Sequence, residues 1–150
     1  MIRPAKSKDL AAVRAIFREY ARWVGDAICF VSFERELTDL PGRYAPPAGR
    51  QLLAFVGEQL AGCVALRPLS PEIGEMKRLY VRPAFRGAGL GRALVEAVIK
   101  EARAVGYALL RLDTLPSMEQ AIGMYRELGF REIAPYGENP PGALCFELRL

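Results

Sequence analysis

Three glycines alternate with larger residues in the stretch RPAFRGAGLGRAL, which covers residues 82–94. They stand between a strand-like apolar run and an amphipathic run that predicts a helix. Glycine lacks the Cβ that holds a ligand away from the backbone, and the first N–H groups of a helix have no acceptor within it. This pattern predicts an anion site, most often for phosphate. Its predicted members are Arg86, Gly87, Ala88, Gly89, Leu90, Gly91 and Arg92.

The sequence around these glycines lacks the full motif of two common phosphate sites. A Walker loop needs Gly-Lys-Ser/Thr, which is absent from the sequence. A dinucleotide fingerprint needs GxGxxG, and its third glycine position holds Arg92 or Leu94, depending on the frame. Asp113, at the end of the next predicted strand, has the spacing of a ribose-binding acid. A dinucleotide site and a purely structural turn therefore stay open as alternatives.

Histidine is missing from the sequence altogether. Ser-His-Asp and Cys-His nucleophile systems are thereby excluded, and the commonest metal ligand is lost, so we expect no metal. Acid–base chemistry must use Glu, Asp, Tyr, Lys, Cys or water. Cys29, Cys63 and Cys145 form no CxxC pair and have apolar neighbours, which favours buried free thiols over a nucleophile or sensor.

The net charge of +4 comes from basic residues that are spread along the chain among acidic ones. A local anionic ligand explains this balance as well as a polyanion does, so we expect no nucleic acid partner and keep a basic nucleic-acid binder as a rival. The 150 residues suit one domain, residues 1–150. No apolar run approaches the roughly 20 residues that cross a bilayer, and no signal-peptide core is visible. We expect a cytoplasmic protein with no membrane partner.

The apolar spacing predicts an α/β (α+β) fold with a mostly antiparallel sheet and one central parallel unit. A strand over 75–81, the glycine loop, a helix over 90–105 and a strand over 108–114 form this βαβ unit. The other predicted elements are a strand at 2–4, a helix capped by Ser7 or Asp9, a helix at 33–40, a hairpin turning at 57–59, a helix at 117–128, and closing strands at 131–134 and 143–150.

The spacing Arg86-x-x-Gly89-x-Gly91, followed by a strand and then by AIGMYRELGF, resembles the GNAT superfamily of acyl-CoA-dependent N-acyltransferases. The resemblance covers roughly residues 52–133 and is weak before residue 50. It implies the GNAT fold, a twisted, mixed, mostly antiparallel sheet with helices on both faces and two splayed central parallel strands.

The resemblance also implies acetyl-CoA as co-substrate. Backbone groups of Leu79, Tyr80 and Val81 are then expected to pair with the pantetheine arm, and N–H groups from about Arg86 to Arg92 to hold the pyrophosphate. The implied reaction is direct acetyl transfer to a primary amine of a small molecule in a ternary complex. A non-catalytic module that senses acyl-CoA is the alternative.

Tyr125 is implied by the resemblance to be the general acid that protonates the departing thiolate. The alternative from helix periodicity is an amphipathic tyrosine that packs beside its helix neighbours. Glu75 begins the strand that enters the site and is the predicted base for the amine. One alternative is a glutamate that only faces solvent on an alternating strand. Another is binding of the free amine, with solvent as the proton acceptor.

Ser117 is a further predicted coenzyme contact. The family pattern has an asparagine seven residues before the tyrosine, and this sequence has Met118 there. The neighbouring Ser117 is expected either to take over the asparagine's contact or to cap the helix.

The acceptor pocket is predicted from less specific signals. Arg67 suits a substrate carboxylate, with a surface arginine as the equal alternative. Trp23 and Phe30 line the pocket or belong to the core, and the loop at 41–50 is expected to form another wall. Lys77 and Arg78 are expected on a solvated polar face. The strand at 143–150 is expected at a sheet edge, where two copies can pair as a homodimer.

Overall fold

The computed structural model describes residues 1–25 and 30–150, with side chains at 1–25 and 32–150. Within these residues, seven strands form one sheet in the order β1-β2-β3-β4-β5-β7-β6, flanked by four α-helices. The strands are β1 (Ile2–Pro4), β2 (Arg50–Val56), β3 (Gln59–Pro68), β4 (Ile73–Val81), β5 (Leu109–Thr114), β6 (Arg131–Ile133) and β7 (Leu144–Arg149). The helices are α1 (Leu10–Val24), α2 (Phe30–Asp39), α3 (Leu90–Val105) and α4 (Glu119–Glu127).

The centre of the sheet opens between its two parallel strands. β4 and β5 pair from Ile73 and Leu109 to Glu75 and Arg111, and the rest of β4 has no partner on that side in the described chain. On its other side β4 slips in register against β3, where Arg78 has a φ of 62°. Such a bulge bends a strand and increases its twist. The two strands therefore diverge, which confirms the predicted fold class with its splayed parallel pair.

One face of the sheet packs against α3 and α4. Apolar residues recur at one-turn spacing on α3 and meet inward-facing residues of the central strands. Residues buried in this cluster include Leu94, Val95, Val98, Ile99 and Ala102 of α3, Met76 of β4, Leu110 and Leu112 of β5, and Tyr125 of α4. The hydrophobic effect thus fixes α3, and with it the glycine turn, against β4.

The opposite face carries α1 and α2. Val13, Ile16 and Phe17 of α1 pack with Phe33 and Leu37 of α2 over the first half of the sheet. Tyr44, in the loop before β2, is 2% exposed and belongs to this core. These helices therefore cover the sheet beside the opening between β4 and β5.

The predicted position of the last strand is wrong. β7 lies between β5 and β6, paired on both sides, and β6 forms that end of the sheet. The local pattern of residues 143–150 identifies a strand but carries no information about its neighbours. The homodimer contact expected through this strand therefore lacks the free edge it needs.

None of the helices described here has both the length and the apolar character that a membrane span requires.

Candidate active site

The glycine turn (residues 86–92) enters α3 through backbone conformations that favour glycine. Gly87 and Gly89 have φ values of 90° and 81°. The helical hydrogen bonds start with Ala93, whose N–H donates to the carbonyl of Gly89. In the described residues, the six N–H groups of residues 87–92 find no acceptor. They are successive free donors at a helix N-terminus.

The space in front of these donors is open. A Cβ on Gly87 or Gly89 would meet no described atom within 4 Å, and one on Gly91 would lie 3.8 Å from Cγ2 of Val81. Free amides, the positive end of the helix dipole and room for a ligand together suit a diphosphate.

The two arginines of the glycine turn are held differently. Arg92 forms ion pairs with Glu96 at 3.1 Å and with Glu127 at 2.9 Å, which neutralise its charge. Arg86 donates from Nε to the carbonyl of Val81 at 2.8 Å, and its guanidinium lies 5.1 Å from the centre of the Trp23 ring. Arg86 is therefore the arginine whose charge is available to an anion at the turn.

A cavity of about 950 Å³ joins the glycine turn to the opening between β4 and β5. Its wall includes β4 residues 76–81, the end of β5 at 113–115, and Tyr125 of α4. Every predicted coenzyme-binding residue lines it except Ala88, whose side chain is exposed beside it. The predicted residues of the turn, β4 and α4 thus share one cavity.

Tyr125 lines this cavity and packs against two aromatic rings. The residue is 4% exposed, and its ring lies 5.7 Å from Phe130 and 6.2 Å from Phe146, centre to centre. Its hydroxyl has no hydrogen-bond partner among the described residues. Burial raises the pKa of the phenol, and Tyr20 and Asp113 add to the shift. The group therefore stays protonated near neutral pH and has a proton to donate.

Glu75 lies beneath the cavity, and its side chain does not form part of the wall. The residue is 2% exposed, so the solvent-facing alternative is wrong. Arg67 donates to its Oε1 at 2.8 Å, and the hydroxyl of Tyr136 donates to its Oε2. Both carboxylate oxygens are thus occupied, and the role of Glu75 as base stays a prediction.

Arg67 also lies away from the cavity wall. Its guanidinium pairs with Glu75 instead of facing the acceptor space, and its side chain is 23% exposed. The ion pair with Glu75 occupies this guanidinium, and the substrate contact of Arg67 stays a prediction.

Lys77 and Asp113 face each other across the opening between β4 and β5, contrary to the solvated face expected for Lys77. Their side chains are 15% and 14% exposed, and Lys77 Nζ lies 3.6 Å from Asp113 Oδ2. The same oxygen accepts a hydrogen bond from Asn139 Nδ2 at 2.8 Å. Burial lowers the pKa of the Lys77 ammonium, and Asp113 opposes that effect.

Arg78 is likewise buried at the cavity, where a solvated side chain was expected. Its guanidinium donates to both carboxylate oxygens of Glu36, each at 2.9 Å. It also lies over the rings of Tyr20 and Phe33. Lys77, Arg78 and Asp113 are called the charged end of the cavity below.

Comparison with known proteins identifies the family. The model of the acetyltransferase (GNAT) family matches residues 10–130 of the chain. The chain belongs to this family. An uncharacterised N-acetyltransferase of Schizosaccharomyces pombe is 38% identical over 95% of this chain and 90% of its own length. The IAA acetyltransferase of Azospirillum brasilense is 34% identical over 89% of this chain and 86% of its own.

Solved structures agree with this family. A ribosomal-protein-alanine N-acetyltransferase from Brucella melitensis matches all of this chain and 99% of its own, with a TM-score of 0.78 and 27% identity. A GNAT family acetyltransferase from Elizabethkingia anophelis with acetyl-CoA bound matches 100% and 97%, with a TM-score of 0.69. At 21% identity the latter shows the fold alone. As a GNAT family member, this protein is an acyltransferase.

Ser117 of this acetyltransferase lies exposed on the cavity wall. The N-cap of α4 is Met118, and no side chain caps the helix. The alternative role of Ser117 as helix cap is therefore wrong, while its coenzyme contact stays a prediction.

The expected acceptor walls are reproduced in part. Trp23 lines the cavity and is 49% exposed. The side chain of Phe30 and all of Cys29 lie outside the described residues. Residues 41–50 line no part of this cavity. Cys63 and Cys145 are buried free thiols, as predicted.

Sequence reasoning placed Lys77 and Arg78 in solvent and missed Glu36 and Asn139, the partners of charged residues around this GNAT cavity. The partners of the pairs Arg78–Glu36 and Asn139–Asp113 are separated by 42 and 26 residues. Pairs between residues so far apart in the sequence produce no short motif that sequence analysis could recognise. One signal was available in the sequence: the alternation of apolar and polar residues along β4 is interrupted at Lys77-Arg78, next to the bulge.

Proposed function

We propose that this protein transfers an acetyl group from acetyl-CoA to the primary amine of a small molecule, by direct attack in a ternary complex. The observation that carries the proposal is the run of six free amides at residues 87–92, beside a cavity that Tyr125 also lines. Family membership supports acetyl transfer, and the relative named IAA acetyltransferase fits a small acceptor.

The residues present fit the coenzyme. The amides of the glycine turn and Arg86 would hold its diphosphate, because they offer donors and positive charge without a Cβ in the way. Backbone groups of Leu79, Tyr80 and Val81 would pair with the pantetheine arm along the edge of β4 that β5 leaves free. Ser117 would add a hydroxyl contact from the opposite wall.

The bond changes need one acid and one proton acceptor. The amine nitrogen bonds to the acetyl carbon, the carbon–sulfur bond breaks, and the sulfur takes a proton from Tyr125. Burial raises the pKa of this phenol, which keeps it protonated at neutral pH but makes it a weaker acid, so the support for the role is its place on the cavity wall. The amine gives its proton to Glu75, directly or through water, or to solvent. The two occupied oxygens of Glu75 favour solvent.

Calorimetry with acetyl-CoA tests the proposal, with NADH as the matched control. Micromolar binding of acetyl-CoA alone is expected, followed by free-thiol release in a screen of primary amines. Binding without thiol release from any amine would favour a sensor module. Equal binding of NADH, or no binding of acetyl-CoA, would refute the assignment of the glycine turn.

A further inference from the structure

The polar residues of β4 and β5 lie on one face of the sheet. Glu75 stands opposite Arg111, and strand alternation puts Lys77 and Asp113 on the same face, one step closer to the opening. Met76 and Leu112 point to the other face and are buried in the apolar core with α3. The charged row therefore lies on the face of the sheet that α1 and α2 cover.

The arginines of this region are fully matched by acidic partners. Arg67 pairs with Glu75 at 2.8 Å, and Arg111 with Glu147 at 2.8 Å. Arg78 engages both oxygens of Glu36. The donors of these guanidinium groups already bind carboxylates, and a ligand would have to displace those carboxylates. These arginines are therefore poor candidates for binding the acceptor.

Lys77 is different. Its ammonium has three donors, yet its nearest acidic oxygen is 3.6 Å away and already accepts from Asn139. In the described chain, Lys77 Nζ makes no hydrogen bond, although only 15% of the side chain is exposed and it lines the cavity. A half-buried cation with one long ion pair and no hydrogen bond is only partly compensated, and an anion from the cavity would add the missing acceptor.

Asp113 offers the complementary group beside it. The described residues fill its Oδ2 and leave Oδ1 without a donor. An unfilled ammonium and an unfilled carboxylate oxygen therefore stand side by side on the cavity wall that Tyr125 shares. A ligand that carries a carboxylate and an ammonium close together would satisfy both groups.

We propose that the acceptor is a small amino-carboxylate zwitterion, an amino acid, with its carboxylate on Lys77 and its ammonium on Asp113. This inference rests on the proposed function, since the ammonium held by Asp113 gives a proton to solvent, attacks the acetyl carbon as the free amine, and releases its second proton to solvent as the amide forms. Trp23 and Tyr20 line the same cavity and give the side chain of such an acceptor an aromatic surface.

The test compares each amino acid with its carboxamide and its decarboxylated amine, at saturating acetyl-CoA, by thiol release. We expect kcat/KM for the free acid to exceed that for the amide by about ten- to hundredfold, the effect of a charge-assisted hydrogen bond. Lys77→Met should bring this ratio close to one, Lys77→Arg should keep most of it, and Lys100→Met, an exposed lysine on α3, should leave it unchanged.

The outcomes separate the two proposals. Equal kcat/KM for acid and amide in the wild-type protein, or a higher value for the decarboxylated amine, overturns the zwitterion alone. A ratio that survives Lys77→Met in folded protein also overturns it. Failure of acetyl-CoA to bind in calorimetry overturns the proposed function, and the zwitterion with it. The wild-type comparison needs no variant, so a poorly folding Lys77→Met leaves the test decisive.

Discussion

The two ends of the cavity are built from different parts of the chain. The glycine turn uses consecutive backbone amides, all within residues 86–92. The charged end uses side chains, and its residues depend on partners up to 42 positions away, as Arg78 does on Glu36. A site made of consecutive backbone can be recognised from a short motif. A site made of side chains from several elements exists only once the sheet has formed.

Among the substitutions that test this difference between the two ends, Gly89→Val should have the largest effect, on the affinity for acetyl-CoA. Valine at a φ of 81° is strained, and its side chain enters the open space before the amides. Loss of two charge-assisted hydrogen bonds, about 3 kcal/mol, predicts a roughly hundredfold weaker affinity for acetyl-CoA by calorimetry.

Gly57→Val is the matched control, because Gly57 has a φ of 61° in the β2–β3 hairpin and no described atom near its Cβ position. It should strain the backbone similarly and leave acetyl-CoA affinity intact. Equal loss of affinity in both variants would point to general instability instead of a role for the glycine turn.

Tyr125→Phe tests the proposed role of the Tyr125 hydroxyl as general acid. Removal of a general acid predicts a fall in kcat of about 10²- to 10⁴-fold, with little change in acetyl-CoA affinity, since the ring remains in place. Steady-state kinetics and calorimetry measure the two quantities. Tyr107→Phe is the control, because Tyr107 is also buried beside α3 but donates to the carbonyl of Ala48, away from this cavity. An unchanged kcat in Tyr125→Phe would remove this tyrosine from the mechanism.

Glu75→Gln should first lower stability. The change weakens the pair with Arg67 and replaces an oxygen that accepts from Tyr136, which predicts a loss of about 1–3 kcal/mol in the free energy of unfolding. Denaturant unfolding measures this loss. A base at Glu75 adds a rate defect that grows as pH falls, because more of the amine is then protonated. A pH-independent defect would exclude Glu75 as base.

Ser117→Ala should have the smallest effect. One lost neutral hydrogen bond, about 1 kcal/mol, predicts roughly fivefold weaker acetyl-CoA binding by calorimetry. Ser32→Ala, at an exposed position of α2, is the control and should change nothing. Identical affinities for both variants would show that Ser117 makes no coenzyme contact.

The parts of the fold that depend on local sequence could be predicted, and the parts that depend on contacts between distant segments could not. Helix α3 and its stop at Gly106 were predicted, since periodicity and glycine placement are local signals. The splaying of β4 from β5 was expected from the resemblance to the GNAT superfamily. The position of β7 inside the sheet was not predicted, because strand order depends on pairing between distant segments. Lys77 was expected in solvent, since its burial arises only where β5 brings Asp113 to face it.

The free amides of residues 87–92 have an evolutionary consequence. Every residue except proline has a main-chain N–H, so most substitutions at a position such as the exposed Ala88 keep the N–H donor. The paired charges near β4 and β5 are side chains, so a single replacement there removes a charge from the cavity wall. Under the proposed function, lineages descended from such a chain can diverge in the acceptor they acetylate and still bind acetyl-CoA through the same main-chain amides.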